Sequence, residues 1–271
     1  MKPANKILRF DSFDAFVAAA AVPSPTANPS DGSRAETSES SPFYGYTAKF
    51  DKALDLASTG WAEGARRCNE LRASIDSLVR EAVVSKQAGY GWEVVGDSVD
   101  VGKYLTGEPE CWLTQVPDGE CVAGPIVRLV ANVAASASVG ADSLFARGAI
   151  VFATIDLLES LGHRVELTVA RGTTTLGKTL QIYVPVKAAN QPLDPDRLAF
   201  CLCSPAFLRR LTWSVSEHHG FVPKKTKPAE VFVENGEVLA LGEARRPQDF
   251  TKQELFDHVR SLCEKCGVTI G

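Results

Sequence analysis

The sequence predicts an α/β protein: a C-terminal, mostly parallel sheet flanked by helices, with a helical and irregular N-terminal part. Three observations carry this. IVRLVANVAAS, from Ile126, is a near-continuous apolar run of the kind a strand buried on both faces shows. ADSLFARGAIVFATIDLLESLG, from Ala141, has helical spacing of Leu144, Ile150, Val151, Ile155, Leu158 and Leu161, with Gly162 where a helix C′ residue belongs. Short β-rich runs then alternate with helical text, which is the pattern of a parallel sheet. RVELTVA from Arg164, TLQIYVPV from Thr179, AEVFVENG from Ala229 and the terminal VTIG read as further strands. Between them, PDRLAFCLCSPAFLRRLTWSVSEHHG is helical text broken by Pro205, and TKQELFDHVRSLCEKCG is a helix.

The front half reads differently. In residues 1–22, Phe10, Phe13 and Val17 recur at helical spacing and Ser12 is placed to cap them. The stretch 23–42, AVPSPTANPSDGSRAETSESSP with its preceding Ala and Val, is rich in serine and proline and poor in large apolar residues. Such a chain does not bury enough to offset its ordering entropy. We therefore expect a flexible linker at 23–42, tethering an N-terminal docking segment at 1–22 that contacts a protein partner or a second copy of the chain. Residues 43–123 form a helical region followed by a glycine-rich extended one. FDKALDLASTGW stops at Gly60, ARRCNELRASIDSLVREAVV is a longer amphipathic helix, and GYGWEVVGDSVDVGKYLTGEPECWLTQVPDG sets tryptophan and valine among turn residues. The α/β domain is expected over 124–271.

Composition narrows the class. The chain has 271 residues, 45% hydrophobic and 23% charged, with a net charge of −4, which excludes collagenous, coiled-coil and wholly disordered chains. No apolar run approaches the ~20 residues of a membrane span. The Phe16–Val22 run is too short and follows Asp11 and Asp14, unlike a secretory signal. Seven scattered cysteines, an odd number, read as reduced thiols, so a cytoplasmic protein (host cytoplasm if viral) is expected. Cys263 and Cys266 have the spacing of half a zinc site, but no second such pair exists. No cofactor or metal is expected.

Candidate chemistry is sparse. His163, His218, His219 and His258 are the only histidines, and none neighbours a nucleophile-bearing turn. Gly172-Thr-Thr-Thr-Leu-Gly177-Lys178-Thr179 has the letters of a phosphate loop but leads into strand text, where that loop needs a helix; a β-hairpin turn is the plainer reading. Asp97, Asp100, Glu108 and Glu110 share no evident pocket. The strongest signal is a local positive charge in an acidic chain: Arg209, Arg210, Lys224, Lys225 and Lys227, with Trp213 interleaved and Arg245 and Arg246 following. Cations neutralise phosphates and aromatic faces stack on unpaired bases, so these residues are candidates for binding single-stranded DNA or RNA.

Three features of the C-terminal half resemble a von Willebrand factor A domain. A hydrophobic strand runs into a serine-bearing loop, Asn132-Val-Ala-Ala-Ser136-Ala-Ser138. A helix, Gly162 and a strand follow in succession. Val231-Phe-Val-Glu-Asn235-Gly236 is similar to that family's strand ending in Asp-Gly. The resemblance implies a metal site at Asn132, Ser136, Ser138 and Asn235, but the carboxylates that a hard cation needs are replaced by Asn132 and Asn235. The implied site is a degenerate, metal-free one. The whole chain also resembles an uncharacterised family carried by bacteriophages and plasmids, through FDKALDLASTGWAEGARR, DVGKYLTGEPECW and RLVANVAASASVGADSLFARGAIVFATIDLLESLGHRVEL. Together these readings give a non-enzymatic binding or assembly protein of phage or plasmid origin, working through protein–protein contacts and plausibly oligomeric. The alternatives are a single-stranded nucleic-acid-binding accessory of phage transcription or replication, and a nucleotide-binding enzyme built on Lys178.

Overall fold

The computed structural model describes residues 5–25, 30, 32–84, 90–94, 98–99, 101–109, 111–115, 126–222, 225–246 and 250–268. In chain order the elements are β1 (Asn5–Arg9), α1 (Phe13–Ala21), α2 (Phe50–Thr59), α3 (Ala62–Val84), β2 (Tyr90–Glu93), β3 (Ser98–Val99), α4 (Val101–Leu105), β4 (Trp112–Gln115), β5 (Ile126–Asn132) and α5 (Ala141–Ser160). They continue as β6 (Arg164–Thr175), β7 (Lys178–Lys187), α6 (Pro195–Cys203), a π-helix (Phe207–Thr212), α7 (Trp213–His218), β8 (Lys227–Ala229), β9 (Glu237–Leu241) and α8 (Lys252–Lys265).

Six strands form the main sheet in the order β1-β7-β6-β5-β9, with β8 paired to β6. The pairs β1/β7, β6/β5 and β5/β9 are parallel; β6/β7 and β6/β8 are antiparallel. β2, β4 and β3 make a separate three-stranded antiparallel sheet in the glycine-rich region. The expected strands from Ile126, Arg164 and Thr179 and the expected helix from Ala141 are present. That helix ends as its glycine requires: Gly162 has φ +86°, its N–H donates to Glu159 O and the His163 N–H to Leu158 O, which is a Schellman closure.

Alternate side chains of the central strands meet one large core. Val127, Leu129 and Ala131 of β5, Val165, Leu167 and Val169 of β6, and Leu180, Ile182, Val184 and Val186 of β7 pack with residues of α1, α2, α3, α5, α6, α7 and α8. The helices thus gather on one face. On the other, Val130, Ala170 and Tyr183 form a smaller cluster with Val231.

Three expectations about the organisation of the chain are corrected. Residues 1–22 are not a tethered docking segment: Ile7, Leu8 and Arg9 pair with Gln181, Ile182 and Tyr183 of β7, and Phe13, Phe16 and Ala20 are buried in the main core. Of the residues at helical spacing, Phe13 and Val17 lie in α1, capped by Ser12 Oγ accepting from Ala15 N–H, while Phe10 precedes the helix; the strand before it carries no alternation to mark it. The 23–42 stretch is not a free linker, because an arginine buried elsewhere in the fold holds its carbonyls, as described below. The division at 123/124 also falls away, since Phe50, Ala53, Ala57, Ala65 and Cys68 share the core of the sheet.

The sheet is not uniformly parallel. β6 and β7 form a hairpin closed by Leu176 and Gly177, whose φ values of +45° and +74° define a two-residue turn of the primed type. The expected strand in AEVFVENG is displaced: residues 231–234 cross the helix-free face, where the Phe232 N–H donates to Tyr183 Oη and Phe232 O accepts from it. The strand begins at Glu237, after the Asn235-Gly236 turn (Gly236 φ +85°). The expected VTIG strand and Cys121 fall on or run into positions outside the described residues.

Candidate functional site

β6 is longer than its neighbour. The last β5/β6 pair is Asn132↔Ala170, and β6 then runs five residues further, Arg171 to Thr175, to its turn. β8 lies along this overhang, pairing Lys227, Pro228 and Ala229 with Thr174, Thr173 and Gly172. The approach demands glycine at 172, where a Cβ would stand 2.1 Å from Ala229 O. Asn132 ties the corner: its Nδ2 donates to Ala229 O at 2.9 Å, and its Oδ1 accepts from the N–H groups of Ala134 (3.1 Å) and Gly172 (3.3 Å). Beyond it the loop bridges to the far side of the sheet, with Ser136 N–H donating to Ala244 O and Ala244 N–H to Ala134 O, both at 2.8 Å.

The step between long β6 and short β5 leaves a notch at the carboxyl ends of the central strands, with a cavity of about 630 Å³. Its floor is Ala134–Ala137, one wall is Arg171, Gly172 and Thr173 with Thr226, Lys227 and Pro228, and the other is Phe43, Tyr44 and Trp213. The aromatic wall is a T-shaped cluster with ring centroids 4.9 Å (Phe43–Tyr44), 6.0 Å (Phe43–Trp213) and 6.2 Å (Tyr44–Trp213) apart. Within the notch, Thr37 Oγ1 is buried without a hydrogen-bond partner among the described residues.

Two arginines of the π-helix hold this wall, and they are the residues the sequence marked as the heart of a basic patch. Arg209 and Arg210 are 1% and 0% exposed. Arg210 donates to Ser33 O, Ala35 O, Thr47 O, Ala48 O and Thr47 Oγ1. Arg209 donates to Phe43 O (2.8 Å) and Val139 O (2.6 Å), with a longer contact to Ser136 O. The Arg209 guanidinium carbon lies 4.1 Å from the Phe43 ring centroid and that of Arg210 4.1 Å from the Tyr44 centroid. Burial lowers the Arg209 pKa to about 10 and also lowers that of Arg210, with nearby Tyr44 opposing the shift in each case. A serine- and proline-rich stretch with little apolar surface is thereby ordered by satisfying its carbonyls with charged donors.

The remaining predicted nucleic-acid residues divide. Trp213 is buried in the aromatic wall; Lys225, Lys227, Arg245 and Arg246 are exposed; Lys224 lies outside the described residues. Arg245 pairs with Glu243 at 2.9 Å. The implied metal positions do not converge. Ser138 and Ser136 hydroxyls bond each other at 3.1 Å, Asn132 is spent on backbone groups, and Asn235 sits in the turn before β9. Because β9 runs parallel to β5, with Glu237 opposite Arg128, that turn is at the other end of the sheet. Among the described residues, no group of three or more His, Cys, Asp or Glu side chains is placed to hold a metal.

The other candidates are structural in placement. His218 Nε2 lies 2.8 Å from Val22 O, His219 Nδ1 2.9 Å from Lys6 Nζ, and His258 stacks edge-on against Phe250. The phosphate-loop letters are the β6–β7 turn, with Lys178 the first residue of a strand. Cys68, Cys111, Cys201, Cys203 and Cys263 are buried, with Cys68 and Cys203 sulfurs 3.6 Å apart. Burial pushes the Cys263 thiol up to about 12 and Cys266 to about 11, so neither is a ready nucleophile.

Sequence reading missed Arg171 and Glu217. Arg171 is 5% exposed on β6, and Glu217, 1% exposed on α7, accepts from Ser33 N–H and Oγ at 2.8 and 2.7 Å. A charge inside the apolar run RVELTVARG was the available signal for the first; nothing local marked the second.

The architecture is that of a six-stranded main sheet with the core-forming helices on one face and a ligand-sized cavity in the step at its carboxyl edge. The chain belongs to the family described as a domain of unknown function, DUF7192, whose model matches residues 3–237. That span includes β1 and every residue lining the notch. No curated protein and no solved structure matches the chain. No helix among the described residues is long and apolar enough to cross a membrane.

Proposed function

We propose that this chain is a binding protein, non-enzymatic and serving an assembly, whose contact with its partner is made at the notch. The cavity carries the proposal. Its volume is within the ~300–1,000 Å³ of small-ligand sites, it opens at the carboxyl ends of the strands, and its lining combines aromatic rings, hydroxyls and two cations. No histidine or carboxylate stands among the described lining residues, which favours holding a ligand over acid–base work on it. The expected route through residues 1–22 is replaced by this one. The resemblance to phage- and plasmid-borne proteins remains the ground for an assembly role. The von Willebrand A-like reading retains two supports, the serine loop at the end of a central strand and the helix–glycine–strand passage, and loses the third with the displaced strand at 231–234.

A fragment screen by ligand-observed NMR tests the notch without presuming a ligand. Hits that compete with one another and disappear in Ala137→Trp, which fills the notch from an exposed floor position, are expected. A screen whose hits all survive that substitution contradicts the proposal.

The second reading is single-stranded nucleic-acid binding, and a specific arrangement supports it. Lys225 and Lys227 flank the notch on the β8 side, while Arg245 and Arg246 follow Ala244, which bridges to Ala135 in the notch floor. All four are exposed. Anisotropy of labelled single-stranded DNA, duplex DNA and RNA should then weaken with salt and be lost when all four are changed to alanine; curves flat at every salt concentration remove this reading.

A further inference from the structure

Three arginines are buried around the notch, and the fold uses two of them completely differently from the third. Arg209 and Arg210 spend their Nη donors on loop carbonyls, while Arg210 Nε donates to Thr47 Oγ1 and Arg209 Nε has no partner among the described residues. Arg171, 5% exposed, makes one hydrogen bond to the described residues, from Nη1 to Ser216 Oγ, and lines the cavity. A guanidinium carries five N–H donors and cannot be neutralised cheaply, so a nearly buried one with a single partner leaves donors turned to whatever fills the space beside it. The acid that acts on it, Glu217, has its carboxylate engaged by Ser33 and also feels Arg34. Burial brings the Arg171 pKa to about 10, leaving it charged at neutral pH, and an anion in the cavity would offset the cost of that burial.

The surroundings narrow the anion. Lys227 brings a second cation to the lining, Ser136 brings a hydroxyl, and Thr37 Oγ1 has no hydrogen-bond partner among the described residues. Two cations and hydroxyls, with no carboxylate among the described lining residues, complement a dianion with several acceptor oxygens. A phosphate monoester has this chemistry, with a charge of about −1.5 to −2 and three acceptor oxygens. The cavity is far larger than a phosphate group, and its opposite wall is aromatic, which suits a flat organic carrier. We infer that the notch binds a nucleoside monophosphate, with Arg171 and Lys227 on the phosphate and the base toward Phe43. The inference rests on the reading of the notch as the binding site. The same chemistry is offered by a free nucleotide and by the 5′-phosphorylated end of a strand.

Calorimetric titration of the full chain with AMP, CMP, GMP and UMP, with adenosine, and with a DNA hexamer bearing either a 5′-phosphate or a 5′-hydroxyl tests it. At least one monophosphate, or the 5′-phosphorylated hexamer, is expected to bind, and adenosine and the 5′-hydroxyl hexamer are not. Lys227→Ala should weaken that binding about tenfold, one charge-assisted contact's worth, with an unchanged circular-dichroism spectrum because the side chain is exposed. Arg171→Gln should abolish it; if that variant fails to fold, Lys227→Ala decides. A free nucleotide as ligand is indicated when AMP-type ligands bind as well as the phosphorylated hexamer, and a strand end when only the hexamer does. Equal binding of the two hexamers, equal binding of adenosine and AMP, or no binding of any phosphate-bearing probe at millimolar concentration overturns the inference. Fragment hits lost in Ala137→Trp alongside silent nucleotides would sink the phosphate chemistry alone, whereas a notch without hits sinks the binding site itself.

Discussion

Arg210 is the residue that ties down the chain from Ser33 to Ala48. Its guanidinium is fully buried and bonds Ser33, Ala35, Thr47 and Ala48, four positions of a stretch whose composition offers no core of its own. Arg210→Met removes the donors while leaving the acceptors in place. With several carbonyls losing charged partners, a loss on the order of 3 kcal/mol is expected, or roughly 6–12 °C in Tm for a chain of this size, read by thermal denaturation. Glu217 gives a pH prediction. Its pKa is raised by burial against the opposing pull of Ser33 and Arg171, so the folded state holds its proton at pH values where the unfolded state has released it. Stability therefore falls as pH rises from the ordinary carboxylate range through the raised value. Glu217→Gln should flatten that part of the stability–pH curve in urea titrations; an unchanged slope would assign it to other groups. Neither residue's role was legible in sequence. Arginines beside Trp213 read as a surface patch because sequence shows charge but not burial. The acceptors of Arg210 lie more than 160 positions away along the chain.

At the scale of elements, the hydrophobic patterns located β5, α5, β6 and β7, because each has a face or two faces to bury. What they left open was direction. The β6–β7 reversal depends on a turn of two residues, and Leu176 is an unusual occupant: its φ is +45°, a region costly to a side chain with a Cβ, and it is 96% exposed. Leu176→Asn, a residue suited to that position, should stabilise the protein by about 0.5–1 kcal/mol, measurable as a higher urea midpoint with the same slope. β1 was unreadable for another reason. An edge strand pairing on one side only, with Ile7 48% exposed, has no pattern to distinguish it from the start of the amphipathic helix that follows. The displaced strand near 231 is a different case: the text VFV suggests a strand, yet only Val231 is buried, Phe232 and Val233 are exposed, and Phe232's backbone groups bond the Tyr183 side chain.

For the whole molecule, the site follows from a mismatch in strand length. Five extra residues on β6, backed by β8 and faced by an aromatic loop pinned from the π-helix, enclose the cavity at the carboxyl edge of the sheet. The sequence pointed to that edge through its serine loop and to Lys227, but not to the wall built from Phe43 and Tyr44, which follows directly on the stretch expected to be linker. The central claim is that ligands enter here. Hydrogen–deuterium exchange of the full chain, with and without the tightest binder from the fragment or nucleotide titrations, tests it most directly. Slower exchange concentrated in 134–137, 171–173 and 226–228, with the 43–44 wall, is the predicted result. Protection confined to the 90–115 region or to the helix-free face, with the notch unchanged, would contradict it.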